Sequence, residues 1–138
     1  EKIFIGGDSA WTGAHAPGAE IDRSTLSAMK IRPAGETLTA VMSRSHADEQ
    51  TLAFAEKLGV TERVSAGSSL KFCLVAEGSA DVYPRFGPTM EWDTGAGHAV
   101  LSAAGGRVTK PDGMPFLYSK AEDGYLNGAF IAWGGLSA

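Results

Sequence analysis

The stretch EWDTGAG (residues 91–97) sets an acidic residue, Asp93, directly before a run of small residues, and an apolar helical run follows at residues 99–104. This pattern puts Asp93 at or near a helix N-terminus, where unpaired main-chain N–H groups and the positive end of the helix dipole favour anions. A carboxylate there can cap the helix, or it can help to hold a divalent cation against a phosphate. The small residues let a ligand approach the main chain closely.

Strand and helix patterns alternate upstream of this stretch, which predicts an α/β layered sandwich whose mixed sheet is flanked by helices. The predicted strands are 37–42, 62–65 and 81–83, the last broken by Pro84, and the predicted helices are 45–58, 70–76 and 94–104. We also expect a hairpin of strands 2–5 and 8–11, a loop over most of residues 13–35, and late strands at 107–108, 116–118 and 130–133.

Composition limits the classes of function. The 138 residues are enough for one domain, and the net charge of −4 argues against general nucleic-acid binding. The sequence contains no apolar run of about 18 residues, so we expect no transmembrane segment. The single cysteine, Cys73, lies in an apolar helical pattern and is interpreted as a packed core thiol. A lone cysteine fits a reducing compartment, so we expect a cytoplasmic protein.

Polar residues gather at strand-to-helix turns, where α/β proteins place their ligand sites. His46, Ser68, Lys71 and Arg85 could each meet a phosphate or a nucleotide there. Each also has an ordinary interpretation, since serines cap helices and cations are usually solvated.

Asp93 is the candidate metal ligand, because Mg²⁺ prefers carboxylate, phosphate and water oxygens. A single aspartate does not make a site. The other acidic candidates are weak: Glu91 lies two residues earlier and can point elsewhere, while Asp81 and Asp8 cannot be placed from the sequence.

Taken together, these segments resemble the inositol monophosphatase superfamily, and within it the bacterial bisphosphate nucleotidases. The resemblance covers roughly residues 37–133. Its segments are SRSH at 43–46, GSSLKF at 67–72, AEGSADVYPR at 76–85, GPTMEWDTGAGHAVL at 87–101, the Gly105-Gly106 pair, Asn127 and FIA at 130–132.

The resemblance implies a layered α/β/α/β/α fold and a Mg²⁺-dependent, Li⁺-sensitive phosphatase that removes the 3'-phosphate from adenosine 3',5'-bisphosphate. It implies Asp93 as a metal ligand and Trp92 as a residue packed beside it. It also implies nucleotide and phosphate contacts for the side chains His46, Ser68, Lys71 and Arg85. Gly95 departs from the alanine that the family more often has.

One family motif, Asp-Pro-x-Asp-Gly-Thr, is missing from the sequence. Because that motif belongs to the family's N-terminal half, we expect residues 1–138 to be a single C-terminal phosphatase domain without the N-terminal metal-binding half. Its expected partners are a phosphonucleotide substrate and either that missing half or a second copy. Two alternatives stay open: a domain that binds a phosphonucleotide without hydrolysing it, and a phosphatase that acts on inositol phosphates.

Overall fold

The computed structural model describes residues 1–43 and 48–136. The strands are β1 Lys2–Gly6, β2 Ala10–Ala14, β3 Ser27–Met29, β4 Leu38–Met42, β5 Val60–Ser65, β6 Val82–Arg85, β7 Thr89–Met90, β8 Arg107–Thr109, β9 Leu126–Asn127 and β10 Phe130–Trp133. The helices are α1 Glu49–Leu58, α2 Leu70–Ala76 and α3 Glu91–Ala103, with short 3-10 turns at Arg23–Thr25 and Ala121–Asp123.

A five-stranded mixed sheet forms the centre of the fold, in the order β5-β4-β6-β10-β8. Strand β4 runs parallel to both β5 and β6, and β10 runs antiparallel to β6 and β8. This sheet confirms the predicted α/β class with a mixed sheet.

Helices cover both faces of this sheet, as the side-chain alternation of β4 illustrates. Val41 belongs to the core formed with α2 and α3, whereas Ala40 and Met42 belong to the core formed with α1. Because successive side chains of a strand point to opposite faces, an apolar strand with both faces covered reads as a continuous hydrophobic run.

A separate antiparallel sheet, in the order β1-β2-β3, packs against α3. The contact is made by main chain: a Cβ atom added at Gly6 would lie 2.6 Å from the Cα atom of Val100. Only glycine allows strand β1 to lie this close to the helix. Strands β7 and β9 form a small antiparallel pair beside the start of α3.

Several predicted boundaries were wrong. The loop predicted for residues 13–35 contains β3, which pairs with β2, and Phe116-Leu117-Tyr118 does not form a strand. Strand β6 continues through Pro84, which pairs with Ile131 of β10, because proline's fixed φ is compatible with extended backbone and only the N–H donor is lost. Helix α3 begins three residues before its predicted start, at Glu91.

Helix α1 begins at Glu49, and residues 45–47 of the predicted helix lie outside the described residues. Its N-cap is Asp48, whose carboxylate accepts a hydrogen bond of 2.7 Å from the Thr51 N–H. In the described ranges, no helix is long and apolar enough to cross a membrane.

Candidate functional site

The carboxyl ends of β4 and β6 and the beginnings of α2 and α3 surround a cleft of about 350 Å³. The cleft is lined by Ser43, Ser68, Ser69, Lys71, Phe72, Tyr83, Arg85, Pro88, Thr89, Asp93 and Thr94. Four of the five site residues predicted from the sequence, Ser68, Lys71, Arg85 and Asp93, therefore share one concavity. The fifth, His46, lies outside the described residues and stays a prediction.

Lys71 is a buried cation in the wall of this cleft, with only 5% of its surface exposed. Its Nζ atom donates a hydrogen bond of 3.3 Å to the Ser68 carbonyl and lies over the ring of Tyr83. Ser68 adopts a positive φ of 46°, which turns the chain into α2. Burial, followed by the nearby charge of Arg85, lowers the pKa of Lys71.

Arg85 ends strand β6 and is partly buried. Its Nε and Nη2 atoms donate to the carbonyls of Gly87 and Pro88, each at 3.3 Å. These contacts hold the guanidinium against the 87–88 turn.

The ion pairs within residues 1–43 and 48–136 are Lys2–Glu77, Arg32–Asp81 and Lys120–Glu91. Neither cleft cation belongs to them. The described wall of the cleft thus presents two positive charges without a carboxylate in direct contact, which favours an anionic ligand.

Asp93 stands in the first turn of α3 and is exposed to solvent. One of its carboxylate oxygens, Oδ2, accepts a hydrogen bond of 2.8 Å from the Met90 N–H. The side chain therefore caps the helix while it lines the cleft, so the two functions considered from the sequence are compatible.

The other acidic candidates do not join Asp93. Glu91 accepts hydrogen bonds from the N–H groups of Ser119 and Lys120, at 3.1 and 2.9 Å, and pairs with the Lys120 ammonium. Asp81 is fully buried against Arg32, and Asp8 lies in the exposed turn between β1 and β2. No group of three or more metal-ligating side chains occurs in the part of the chain that the structure describes. Asp93 thus fits as one hard oxygen ligand, but these residues do not by themselves make a Mg²⁺ site.

Asn127 belongs to the segments that carry the resemblance, but no role was predicted for this polar group, which lies behind the cleft. The buried amide of Asn127 donates hydrogen bonds of 3.1 Å to the hydroxyls of Thr89 and Thr94, and both threonines line the cleft. Sequence reasoning also missed Tyr83, which was considered only as part of a strand. For Thr94, the available signal was its position directly after Asp93.

Three further sequence interpretations can be compared with the structure. Cys73 is a packed core thiol, as predicted, and burial raises its pKa to about 11. His98 is half-buried, and its Nδ1 atom lies 2.9 Å from the Tyr118 hydroxyl. Trp92 does not pack as expected within this chain: it is 69% exposed and has Tyr125 as its aromatic neighbour, with ring centroids 6.3 Å apart.

Comparison with known proteins gives consistent matches. The chain is 51% identical over 102 residues to the 3'(2'),5'-bisphosphate nucleotidase CysQ of Escherichia coli K12, and the match covers 74% of this chain and 41% of that protein. The Buchnera aphidicola protein of the same name is 47% identical over 93 residues, covering 67% of this chain and 35% of that one. The chain therefore spans about two fifths of the length of the curated relatives it matches.

A solved structure agrees over nearly the whole chain. The crystal structure of CysQ from Bacteroides thetaiotaomicron, described as a bacterial member of the inositol monophosphatase family, superposes with a TM-score of 0.82 at 37% identity. The superposition covers 99% of this chain and 55% of that one. The model of the inositol monophosphatase family matches residues 7–131. On this match, the chain belongs to the inositol monophosphatase family.

Proposed function

We propose that this chain supplies the substrate-binding part of a Mg²⁺-dependent phosphatase that removes the 3'-phosphate from adenosine 3',5'-bisphosphate. The observation that carries the proposal is the convergence of Lys71, Arg85 and Asp93 on one cleft. Nucleotidase relatives at 51% and 47% identity support this substrate class.

Two cations at separate positions in the cleft favour a ligand with two phosphates. Lys71 enters from α2 and Arg85 from the end of β6, so each can meet a different phosphate of one nucleotide. An inositol monophosphate carries only one such group and would leave one cation without a partner. This difference favours the bisphosphate nucleotide over an inositol phosphate.

Metal-assisted phosphate hydrolysis uses clustered oxygen ligands, and Asp93 is a single carboxylate. The proposal therefore assigns the remaining ligands, and the group that activates water, to sequence outside this chain. In the family to which the chain belongs, that sequence is the N-terminal half with the Asp-Pro-x-Asp-Gly-Thr motif. On this proposal, residues 1–138 form the C-terminal domain of the enzyme.

The work of this chain is to bind and orient the substrate. The two cations neutralise phosphate charge, and Thr89 and Thr94, which Asn127 holds by hydrogen bonds, form part of the cleft wall beside them. When bound, Mg²⁺ would supply charge neutralisation at the reacting phosphate. The buried thiol of Cys73 agrees with a reducing compartment, so the proposal places the enzyme in the cytoplasm.

Two measurements test the proposal. Calorimetry should show that the 138-residue chain binds adenosine 3',5'-bisphosphate more tightly than AMP. A Lys71→Ala/Arg85→Ala double variant should lose this binding, whereas Arg63→Ala, which removes an exposed arginine on β5, should keep it. Equal affinity for the two nucleotides would contradict the assigned substrate.

The second measurement is phosphate release with Mg²⁺. The chain alone should give none above background. Joined to the segment of the Escherichia coli relative that it does not match, it should turn over. Robust turnover by the chain alone would contradict the proposal that the remaining metal ligands and the water-activating group lie outside this chain. Binding without turnover in either form would favour a non-catalytic phosphonucleotide-binding domain.

A further inference from the structure

The side chain of Lys71 lies between the cleft and an aromatic ring. Its Nζ atom is 5.4 Å from the centroid of Tyr83, over the ring. This is within the distance of about 6 Å at which the negative face of an aromatic ring attracts a cation. Both residues line the cleft, and both are only 5% exposed.

A buried ammonium group needs several partners. It has three N–H donors, and within the described residues Lys71 gives one of them to the Ser68 carbonyl, at 3.3 Å. Burial and the charge of Arg85 both lower the pKa of Lys71, so its environment disfavours the charged form that would hold an anion. Two contacts act in the opposite direction and favour the charged form: the Ser68 carbonyl, which accepts a hydrogen bond from Nζ, and the face of the Tyr83 ring.

The ring is itself held in place by other aromatic residues. Its centroid lies 5.1 Å from that of Phe72 and 5.3 Å from that of Phe130, with interplanar angles of 81° and 90°. Such edge-to-face contacts fix the orientation of a ring. Burial raises the pKa of Tyr83 to about 12, so the ring stays neutral and acts through its face rather than as a phenolate.

We propose that Tyr83 is the positioning residue of the anion site: its ring face holds the Lys71 ammonium, in its charged form, at the wall of the cleft. The identity of the anion rests on the proposed function. The contact between Lys71 and Tyr83 does not, and it can be tested without a nucleotide.

The test changes the electrostatic potential of the ring face at position 83 while an aromatic ring stays in place. Tyr83→Phe removes only the hydroxyl, and pentafluorophenylalanine in place of Tyr83 also removes the negative ring face. NMR of the Lys71 side chain, assigned with a Lys71→Arg variant, gives the lysine pKa in the ligand-free 138-residue chain. We expect Tyr83→Phe to leave the pKa near its wild-type value. The fluorinated ring should lower it by about one, the size expected when a desolvated cation–π contact is lost.

Pentafluorophenylalanine in place of Phe130 is the matched control. Phe130 is fully buried and touches the Tyr83 ring, but the lysine lies over Tyr83. This control should leave the pKa of Lys71 unchanged. Titration with inorganic phosphate should follow the same order, with affinity reduced about three- to tenfold only by the fluorinated residue at position 83.

Two results would overturn the proposal. If the fluorinated ring at position 83 leaves the lysine pKa unchanged, the ring does not stabilise the ammonium. If Tyr83→Phe lowers the pKa as much as the fluorinated ring does, the hydroxyl and not the ring face is the operative group. If the lysine pKa falls as expected but the chain does not bind adenosine 3',5'-bisphosphate, the contact stands and the proposed substrate is wrong.

Discussion

The Asp93 carboxylate accepts a hydrogen bond from the Met90 N–H, at 2.8 Å, in the first turn of the helix that borders the cleft. The same side chain thus fixes the start of α3 and presents negative charge to the site. These two roles respond differently to substitution, since a neutral amide oxygen still accepts a hydrogen bond but is a poor ligand for Mg²⁺.

Asp93→Asn should separate the two roles. We expect the unfolding free energy of the 138-residue chain to fall by about 0.5 kcal/mol, because only charge near the helix N-terminus is lost. Asp93→Ala should cost about 1 kcal/mol, because the hydrogen bond that Asp93, at the third position of the helix, accepts from the N–H of the N-cap residue Met90 is lost as well. In the proposed enzyme, assembled by joining this chain to the unmatched segment of the Escherichia coli relative, both variants should lower the rate of phosphate release by orders of magnitude. They should also weaken the dependence of that rate on Mg²⁺. Denaturant titration and phosphate release measure these effects, and near-normal kinetics in the asparagine variant would leave Asp93 as a cap only.

Arg85→Ala should affect two-phosphate ligands selectively. Its guanidinium lies at the end of β6 and lines the cleft together with Lys71. In the assembled phosphatase we expect KM for adenosine 3',5'-bisphosphate to rise about tenfold or more, the size of a lost charge-assisted hydrogen bond. KM for a substrate with one phosphate should change less. Arg63→Ala is the control for the loss of a positive charge. If Arg85→Ala raises KM equally for both substrates, Arg85 does not bind the second phosphate.

The ion pair between the buried Asp81 and the partly exposed Arg32 should make the free energy of unfolding depend on pH in the acid range. Burial alone would raise the pKa of Asp81, but hydrogen bonds from Arg32 and from the Thr39 N–H together hold it below its usual value. A carboxylate whose folded pKa is lowered stabilises the protein above its unfolded pKa of about 3.9, and that contribution is lost as the pH falls through the folded pKa.

Asp81→Asn should therefore lower the free energy of unfolding by about 1.5–3 kcal/mol at pH 7, the size of a lost hydrogen bond between charged groups, and should remove part of the loss of stability below about pH 4. Urea unfolding between pH 2 and pH 7 would measure both effects. The exposed Asp8→Asn serves as the matched control and should change neither. A parallel pH profile for Asp81→Asn and the wild type would contradict the assignment.

Two glycines of α3 should respond in opposite directions to alanine. A Cβ atom at Gly95 meets nothing within 4 Å, so Gly95→Ala should stabilise the chain by about 0.5–1 kcal/mol through helix propensity. A Cβ atom at Gly97 would lie 2.5 Å from Cδ2 of Phe72, so Gly97→Ala should destabilise it because α2 and α3 would have to move apart. Thermal unfolding of the two variants measures the difference. Destabilisation by Gly95→Ala would mean that this position is more crowded than the structure indicates.

The central sheet could be predicted because its signals are local. Strand β10 is a continuous apolar run, β4 is apolar apart from Thr39, and the helix after β4 ends at Gly59, whose φ of 83° is readily adopted by glycine. The convergence of Ser68, Lys71, Arg85 and Asp93 also followed, since strand-to-helix turns gather at one edge of an α/β sheet. The resemblance then supplied chemical roles that no local pattern contains.

The remaining features depend on long-range contacts. Strand β3 is a strand only because β2 lies beside it, and the Gly- and Pro-rich sequence around it gives no periodic signal. Residues 116–118 have the apolar and aromatic composition of a strand but form no regular ladder. In the sequence, Tyr83 is indistinguishable from the other residues of its strand. Its contact with Lys71 exists only after α2 has packed onto β6. The residue types at these positions do not by themselves indicate which distant residues they contact.

The direct contact of Gly6 with Val100 also has a mechanical consequence. With no side chain between the two backbones, strand β1 and helix α3 have no compressible layer to absorb a displacement. Asp93 lies on the same helix, about two turns before Val100. Strand β1 therefore packs rigidly on the helix that carries Asp93, so a change in the packing of the hairpin of β1 and β2 would have to be accommodated by α3 itself.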